Sequence, residues 1–175
     1  MSTVTGFPPV ADKDAAILIL GSMPSIKSLE ANQYYAHPRN SFWFIMTDIF
    51  GGSVDQEYNK RKALLLRNKI ALWDVLNSCQ RKGSLDSSIK NESTIVNDFN
   101  TFFTEHPLIK AVYFNGTRAQ QEYNRQVLPD LDARFSDIEY QRLPSTSPAM
   151  ASLTREQKLQ QWKTILQHLD GVIRK

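Results

Sequence analysis

Apolar and polar positions along the 175-residue chain fall into two alternating registers. "AAILIL" (Ala15–Leu20) is apolar without interruption and stops at Gly21, the pattern of a strand buried on both faces, as in a parallel sheet. "KIALWDVL", with Ile70–Trp73 as its core, is a second strand. "IKAVYFNG", closed by Asn115-Gly116, is a third, and "DIEYQRLP", alternating apolar and polar before Pro144, is a fourth. Between them the period lengthens to that of helices, over Phe42–Phe50, Glu57–Arg67, Asp98–Glu105 and Thr117–Val127. A last helix opens on Thr154 and Gln157, a capping box, and carries Leu159, Trp162, Leu166 and Leu169 on one face. Strands alternating with helices predict a single α/β domain, a sandwich around a short, mostly parallel sheet. Its expected bounds are residues 13–175, preceded by an extended N-terminal arm, residues 1–12, containing Gly6, Pro8 and Pro9.

In such a fold, ligands bind beyond the carboxyl ends of the strands, near a topological switch point. The segments expected there are "GSMPSIKSL", "DVLNSCQRKGSLD", "FNGTRA" and "LPSTSPAMAS". They are rich in Gly, Pro and small hydroxyl residues, which either make turns or bring backbone amides close to a phosphate. Neither "GSMPS" nor "PSTSPAMAS" is a Walker loop or a dinucleotide fingerprint. "ANQYYAHPRNSFW" (31–43) leads into the Phe42–Phe50 helix and crowds aromatics beside an amide. Asn40 is either the helix cap or the edge-reader of a pocket. Tyr34 and Tyr35 are either core or a stacking face. His37 is either a satisfied hydrogen-bonder or a participant in chemistry, whereas Phe42 and Trp43 read as core.

Composition narrows the partners only a little. A net charge of +3 and a pI of about 9.0 permit an anionic partner such as nucleic acid without selecting one. Cys79 is the sole cysteine, and His37, His106 and His168 are scattered, so an internal disulfide is excluded and no zinc spacing is present. The N-terminus lacks a signal-peptide pattern and no apolar run reaches membrane length, which sets a cytoplasmic, reducing compartment as the expectation.

Taken in order, "LGSMPS", "SLEANQYYAHPRNSFW", "ALWDVLNSCQRKGSLDSSI", "FNGTRA" and "LPSTSPAMA" resemble one branch of the uracil-DNA glycosylase superfamily. That branch is its sixth family, the hypoxanthine-DNA (DNA-deoxyinosine) glycosylases. The resemblance runs from about Ile17 to Leu169. It implies a three-layer α/β/α sandwich around a four-stranded parallel sheet. It also implies a monofunctional enzyme that hydrolyses the N-glycosidic bond of a deaminated base in DNA, without cofactor or metal, and leaves an abasic site. The base must first be flipped out of the duplex. DNA containing deaminated bases is the expected partner, and the chain is expected to act as a monomer away from membranes.

The resemblance also places residues. "GSMPS" corresponds to the superfamily's first motif, beside the scissile bond, and "PSTSPAMA" to the second, which presses on DNA. Where uracil-specific members carry Asp or Asn in the first motif, this chain has Ser22 and Met23, neither able to act as a base. The key amide of the family falls on Asn40, so Asn40 is the expected principal catalytic residue, with Ser22 beside it. Gly21, Met23, Tyr34, Tyr35, His37 and Asp74 are the expected base-binding set. Ser25, Arg39, Ser145, Thr146, Ser147, Pro148, Ala149 and Met150 are the expected DNA contacts, Met150 as an apolar wedge. Arg81, Lys82 and Arg118, with Arg39, are candidates for a phosphate track. Asp74 either accepts from N1–H of the base or caps a loop. Three other readings stay open: uracil, xanthine or mismatch substrates in the same superfamily; a non-catalytic lesion binder; and a serine hydrolase built on Ser22 and His37, which lacks a nucleophile elbow.

Overall fold

A computed structural model describes residues 2–170. Its centre is a four-stranded, wholly parallel sheet in the order β3-β2-β6-β7, made of β2 (Ile17–Gly21), β3 (Ile70–Asp74), β6 (Ala111–Asn115) and β7 (Glu139–Leu143). A small antiparallel sheet of β1 (Thr3–Thr5), β4 (Leu76–Gln80) and β5 (Ile95–Val96) flanks it. The helices are α1 (Ile26–Ala31), α2 (Phe42–Phe50), α3 (Tyr58–Arg67), α4 (Phe99–Glu105), α5 (Thr117–Glu122) and α6 (Arg155–Trp162). The expected bound at residue 175 runs into positions 171–175, which lie outside the described residues.

Alternation along each strand builds two cores. Ile17 and Ile19 face α2, α3 and α6 with Phe42, Trp43, Leu65 and Trp162. Leu18 and Leu20 face α4 and α5 with Phe99, Phe102, Phe103 and Tyr123. Because both faces are covered, β2 and β3 are buried throughout. This is the α/β sandwich that the alternating registers predict, in the three-layer α/β/α form that the resemblance implies. Chain order reverses between β2 and β6, which puts the switch point between these two central strands.

Three features depart from the sequence reading. The first twelve residues are extended but docked: β1 pairs with β4, Val10 bridges Leu72, Trp73 Nε1 donates to Phe7 O, and the Tyr34 hydroxyl donates to Pro8 O. "SIKSLEA" forms α1, with the Ser25 side chain accepting from Ser28 N. The third is at two helix ends: residues 123–127 wind as a π turn, and the last helix tightens to a 3₁₀ turn from Lys163 to His168.

The capping box of α6 is formed in full: Gln157 N donates to Thr154 Oγ1 and Thr154 N to Gln157 Oε1. Thr154→Ala should therefore cost about 1 kcal/mol in urea denaturation. A loss below a few tenths would show that packing of Trp162 alone fixes this helix.

Candidate active site

The carboxyl ends of β2, β3 and β6 and the loop after β7 enclose one cleft of about 520 Å³, within the usual range for small-molecule sites. Gly21 and Asp74 are register partners at its floor. A side chain at Gly21 would place its Cβ 2.5 Å from Asp74 Oδ1 and 2.9 Å from the Tyr35 hydroxyl. Glycine is thus required for both polar groups to reach this point. Tyr35 is held there in a left-handed backbone conformation (φ +54°), which costs a non-glycine residue on the order of 1 kcal/mol. Its ring stacks on Phe42, with centroids 4.2 Å apart and planes at 28°.

The floor contains polar atoms without protein partners. Asp74 Oδ2 and the Tyr35 hydroxyl are both buried and unpaired among the described residues. The Asn115 amide lies near that hydroxyl, but its hydrogen bonds go to Thr146: Nδ2 donates to Oγ1, and Oδ1 accepts from Thr146 N. Burial, reinforced by the Asp86 charge and opposed by Arg81, pushes Asp74 from the ordinary 3.8 up to about 7. Burial likewise drives the Tyr34 and Tyr35 phenols far above their ordinary value. Asp74 therefore exchanges a proton near neutrality while the tyrosines stay neutral.

Asn40 lines the cleft just ahead of α2. Its Oδ1 accepts from Phe42 N at 2.9 Å, but the N-cap of α2 is Ser41, so Asn40 braces the turn one residue ahead of the cap and is not the cap itself. That bond also fixes which end of the amide is oxygen. Asn40 Nδ2 has no hydrogen-bond partner among the described residues and is the end left for a ligand. Neighbouring Ser41 N donates to Thr146 O, which ties this segment to the loop after β7.

Ser22 Oγ donates to Asp86 Oδ1 at 2.6 Å. Asp86 is exposed as a residue, yet burial of its carboxyl raises its pKa; the Ser22 hydrogen bond, Arg81 and Arg118 pull the other way. Arg118 lines the cleft and donates to Glu122 Oε1 at 2.6 Å and to Asn91 Oδ1 at 2.8 Å. Glu122 is 2% exposed and also holds Arg125 and Gln126. This buried carboxylate fixes Arg118 from behind.

The other expected residues divide. Met23, Tyr34, Ser25, Ser145, Ser147, Ala149 and Met150 line the cleft. Tyr34 does so only marginally: it packs edge-on against Phe7 and its hydroxyl is used on Pro8. Met23 packs into a minor core with Leu76, Cys79 and Ile89. Thr146 is buried, and its backbone and hydroxyl are all engaged, so it anchors the loop rather than presenting a surface. From behind, Lys158 Nζ donates to Ser147 O.

Three expectations are not met by the placement. His37 does not wall the cleft, because its Nδ1 accepts from Arg39 N in a local turn. Outside the cleft walls, where the expectation was a contact with DNA and not with the base, Arg39 and Lys82 are exposed and Pro148 is half-buried. Arg81 cannot belong to a phosphate track: it is 3% exposed, donates to Pro24 O, and faces the two aspartates. A serine–histidine pair fails too, since Ser22 is paired with Asp86 instead.

Sequence reasoning missed Asp86 and Asn115 as site residues. Asp86 ends the "RKGSLD" block, where it reads as turn chemistry. Asn115 precedes a glycine, where it reads as a strand stop. Neither position has a local signal for facing a cleft; both depend on neighbours 64 and 31 residues away.

Residues 8–170 match the model of the uracil DNA glycosylase superfamily. The chain belongs to this superfamily. Hypoxanthine DNA glycosylase of Methanosarcina acetivorans is 35% identical over 164 residues, covering 93% of this chain and 98% of that protein. Hypoxanthine DNA glycosylase of Methanosarcina barkeri is 43% identical over 115 residues, 65% and 72% of the two chains. A Methanosarcina acetivorans protein solved by solution NMR as a uracil DNA glycosylase candidate superposes with a TM-score of 0.79 at 34% identity, covering 97% of this chain and 99% of that one. As a member of the superfamily, the chain places its "GSMPS" and "PSTSPAM" segments on the walls of one cleft, at the switch point of the sheet.

Proposed function

We propose that this chain hydrolyses the N-glycosidic bond of deaminated bases in DNA, chiefly hypoxanthine, after flipping the nucleotide into the cleft. The observation that carries the reading is Asn40: an amide locked by Phe42 N, with its donor end free, at the wall of the superfamily cleft. Two relatives named hypoxanthine DNA glycosylase support the substrate.

The chemistry follows from the residue types. Cleavage sends the bonding electrons into the departing base, and the developing charge on hypoxanthine spreads toward O6. A fixed N–H donor such as Asn40 Nδ2 stabilises that charge more than the neutral ground state. Asp74 accepts from the base's N1–H or, protonated, donates to its O6. Adenine presents an amino group where hypoxanthine has O6, so donor would face donor and the buried groups would be left unpaired. Tyr35, with Phe42 behind it, supplies a flat face for the ring. Ser145, Ser147, Ala149 and Met150 are the surface for the DNA strand. Among the described residues no lysine lines the cleft, which supports hydrolysis without a Schiff base. We place the reaction in a monomer and a cytoplasmic setting. Cys79 is buried, and no described helix is long and apolar enough to cross a membrane.

Duplexes carrying inosine, uracil, xanthine or a thymine mismatch, assayed for alkali-labile abasic sites at equal enzyme, test this reading. Inosine should be cleaved fastest. Faster release of uracil would transfer the substrate to the base named for the solved neighbour, and binding with no release from any duplex would leave a lesion binder. Affinity for the inosine duplex should fall with added salt, because phosphate contacts release counterions. A flat response between about 50 and 200 mM salt would argue against DNA as the partner.

A further inference from the structure

Hydrolysis needs a water aimed at C1′ and a group to take its proton, and the first motif supplies neither through Ser22 or Met23. Among the described residues lining the cleft, Asp74 and Asp86 are the only carboxylates, and no histidine, glutamate or lysine stands with them. Burial raises the pKa of both aspartates, but the groups beside them differ. Asp74 is 4% exposed, with one carboxyl oxygen unpaired, which favours its neutral form. Asp86 opens to the cleft, and its Oδ1 accepts the Ser22 proton at 2.6 Å, a bond that favours the carboxylate. Its Oδ2 has no hydrogen-bond partner among the described residues. Burial raises both carboxyls, but only Asp86 has a hydroxyl donor and two arginines acting for its charged form, so of the pair it is the one placed to act as the base.

We propose that Asp86 is the general base of the reaction: Oδ2 takes the proton of the attacking water while Ser22, donating to Oδ1, holds the carboxylate in place. This rests on the glycosylase reading above. In the step, the water oxygen bonds C1′ as the C1′–N9 bond breaks. The bonding pair leaves with hypoxanthine, whose charge faces Asn40 Nδ2. The water proton passes to Asp86 and from there to solvent, and the departing base takes up a proton from solvent. Ser22 uses its only proton on Asp86, so its own lone pairs can accept from the same water. Substituting serine for a first-motif carboxylate thus moves the base to the loop after β4 without removing it from the cleft.

The groups facing Asp86 are Ser22 at the end of β2, Asp74 at the end of β3, Tyr35 ahead of α2, Arg81 after β4, and Arg118 and Glu122 on α5. Burial and, to a smaller extent, Glu122 oppose the charged form of Asp86; the Ser22 hydroxyl and the two arginines favour it. The rate of base release should therefore rise with pH through the titration of Asp86.

Single-turnover release from an inosine duplex, followed from about pH 4.5 to 9, is the test. Asp86→Asn should lower the rate about 10²–10⁴-fold, bind the duplex as wild type does, and lose the acid limb. Ser22→Ala should lower the plateau rate, by less than Asp86→Asn does, and move the acid limb to higher pH, because the hydrogen bond to the carboxylate is gone. An Asp86→Asn rate within threefold of wild type, or a slow variant that keeps the acid limb, overturns the assignment and leaves Asp86 as a loop tether. If Asp86→Asn does not fold, the Ser22→Ala limb decides: a limb that moves up supports the base, and one that stays overturns it. Wild-type protein that releases no base from any duplex would sink the glycosylase reading itself, an outcome distinct from an active Asp86→Asn variant.

Discussion

Asn40→Ala should lower the single-turnover rate of base release from an inosine duplex about 10²–10³-fold, the usual consequence of removing one preorganised donor from a site of developing charge. The substitution removes two things at once. Loss of the Oδ1 bond to Phe42 N frees the turn that leads into α2, which costs about 1 kcal/mol of stability. Loss of Nδ2 removes the donor to the departing base. Asn40→Asp separates the two, since it keeps an acceptor for Phe42 N and discards only the donor. Its stability should match wild type while its rate falls at least as far as that of the alanine variant, because a carboxylate also repels the developing negative charge. Denaturation midpoints and single-turnover rates for both variants check this. A wild-type rate in Asn40→Ala would remove Asn40 from the chemistry.

Asp74 sets the second large effect, on stability. Its carboxyl is raised from 3.8 to about 7 in the folded protein, chiefly by burial. Below about pH 4 the group is protonated in the folded and the unfolded chain alike, and its contribution is fully present. Between pH 3.8 and about 7 the unfolded chain has released the proton while the folded one holds it, so stability falls as pH rises. Above about 7 the loss is complete, and amounts to at most about 4 kcal/mol. Asp74→Asn carries no such titration. Urea denaturation of variant and wild type at about pH 4, 5.5, 7 and 8.5 should show the variant gaining steadily and then levelling off. A constant difference across that range would mean that Asp74 is ionised in the folded protein throughout. The expected instability at neutral pH comes from a residue that lines the cleft, the kind of place where unpaired buried polar groups are retained at a cost in stability.

The cleft was legible in the sequence where chemistry coincided with a strand end or a block boundary. Gly21, Ser22, Asp74 and Asn40 all fall at such places, and all line the cleft. His37 sits three residues from Asn40 and misses it, because the turn "HPRN" folds back on itself through Arg39 N and Asn40 N. Arg81 had the composition of a phosphate contact and proved to be buried beside carboxylates. A charge count cannot distinguish the two: whether a guanidinium faces water or an aspartate depends on which strand end packs against it. The small sheet escaped notice because strands of two or three residues carry no period.

What the sequence alone determined is the alternation of period-2 and helical segments, hence the parallel sheet covered on both faces, and the capping box of α6. These depend on residues within a few positions of each other, where side-chain spacing and hydrogen-bond reach are set by the local backbone. Only the tertiary structure decided which polar groups meet. Asp86 is brought to Ser22 across 64 residues, and Asn115 to Thr146 across 31. Asp74 is left with a carboxyl oxygen unpaired because the strands around it exclude water. Desolvation and pairing are properties of the surroundings, and the surroundings exist only once distant segments have packed together.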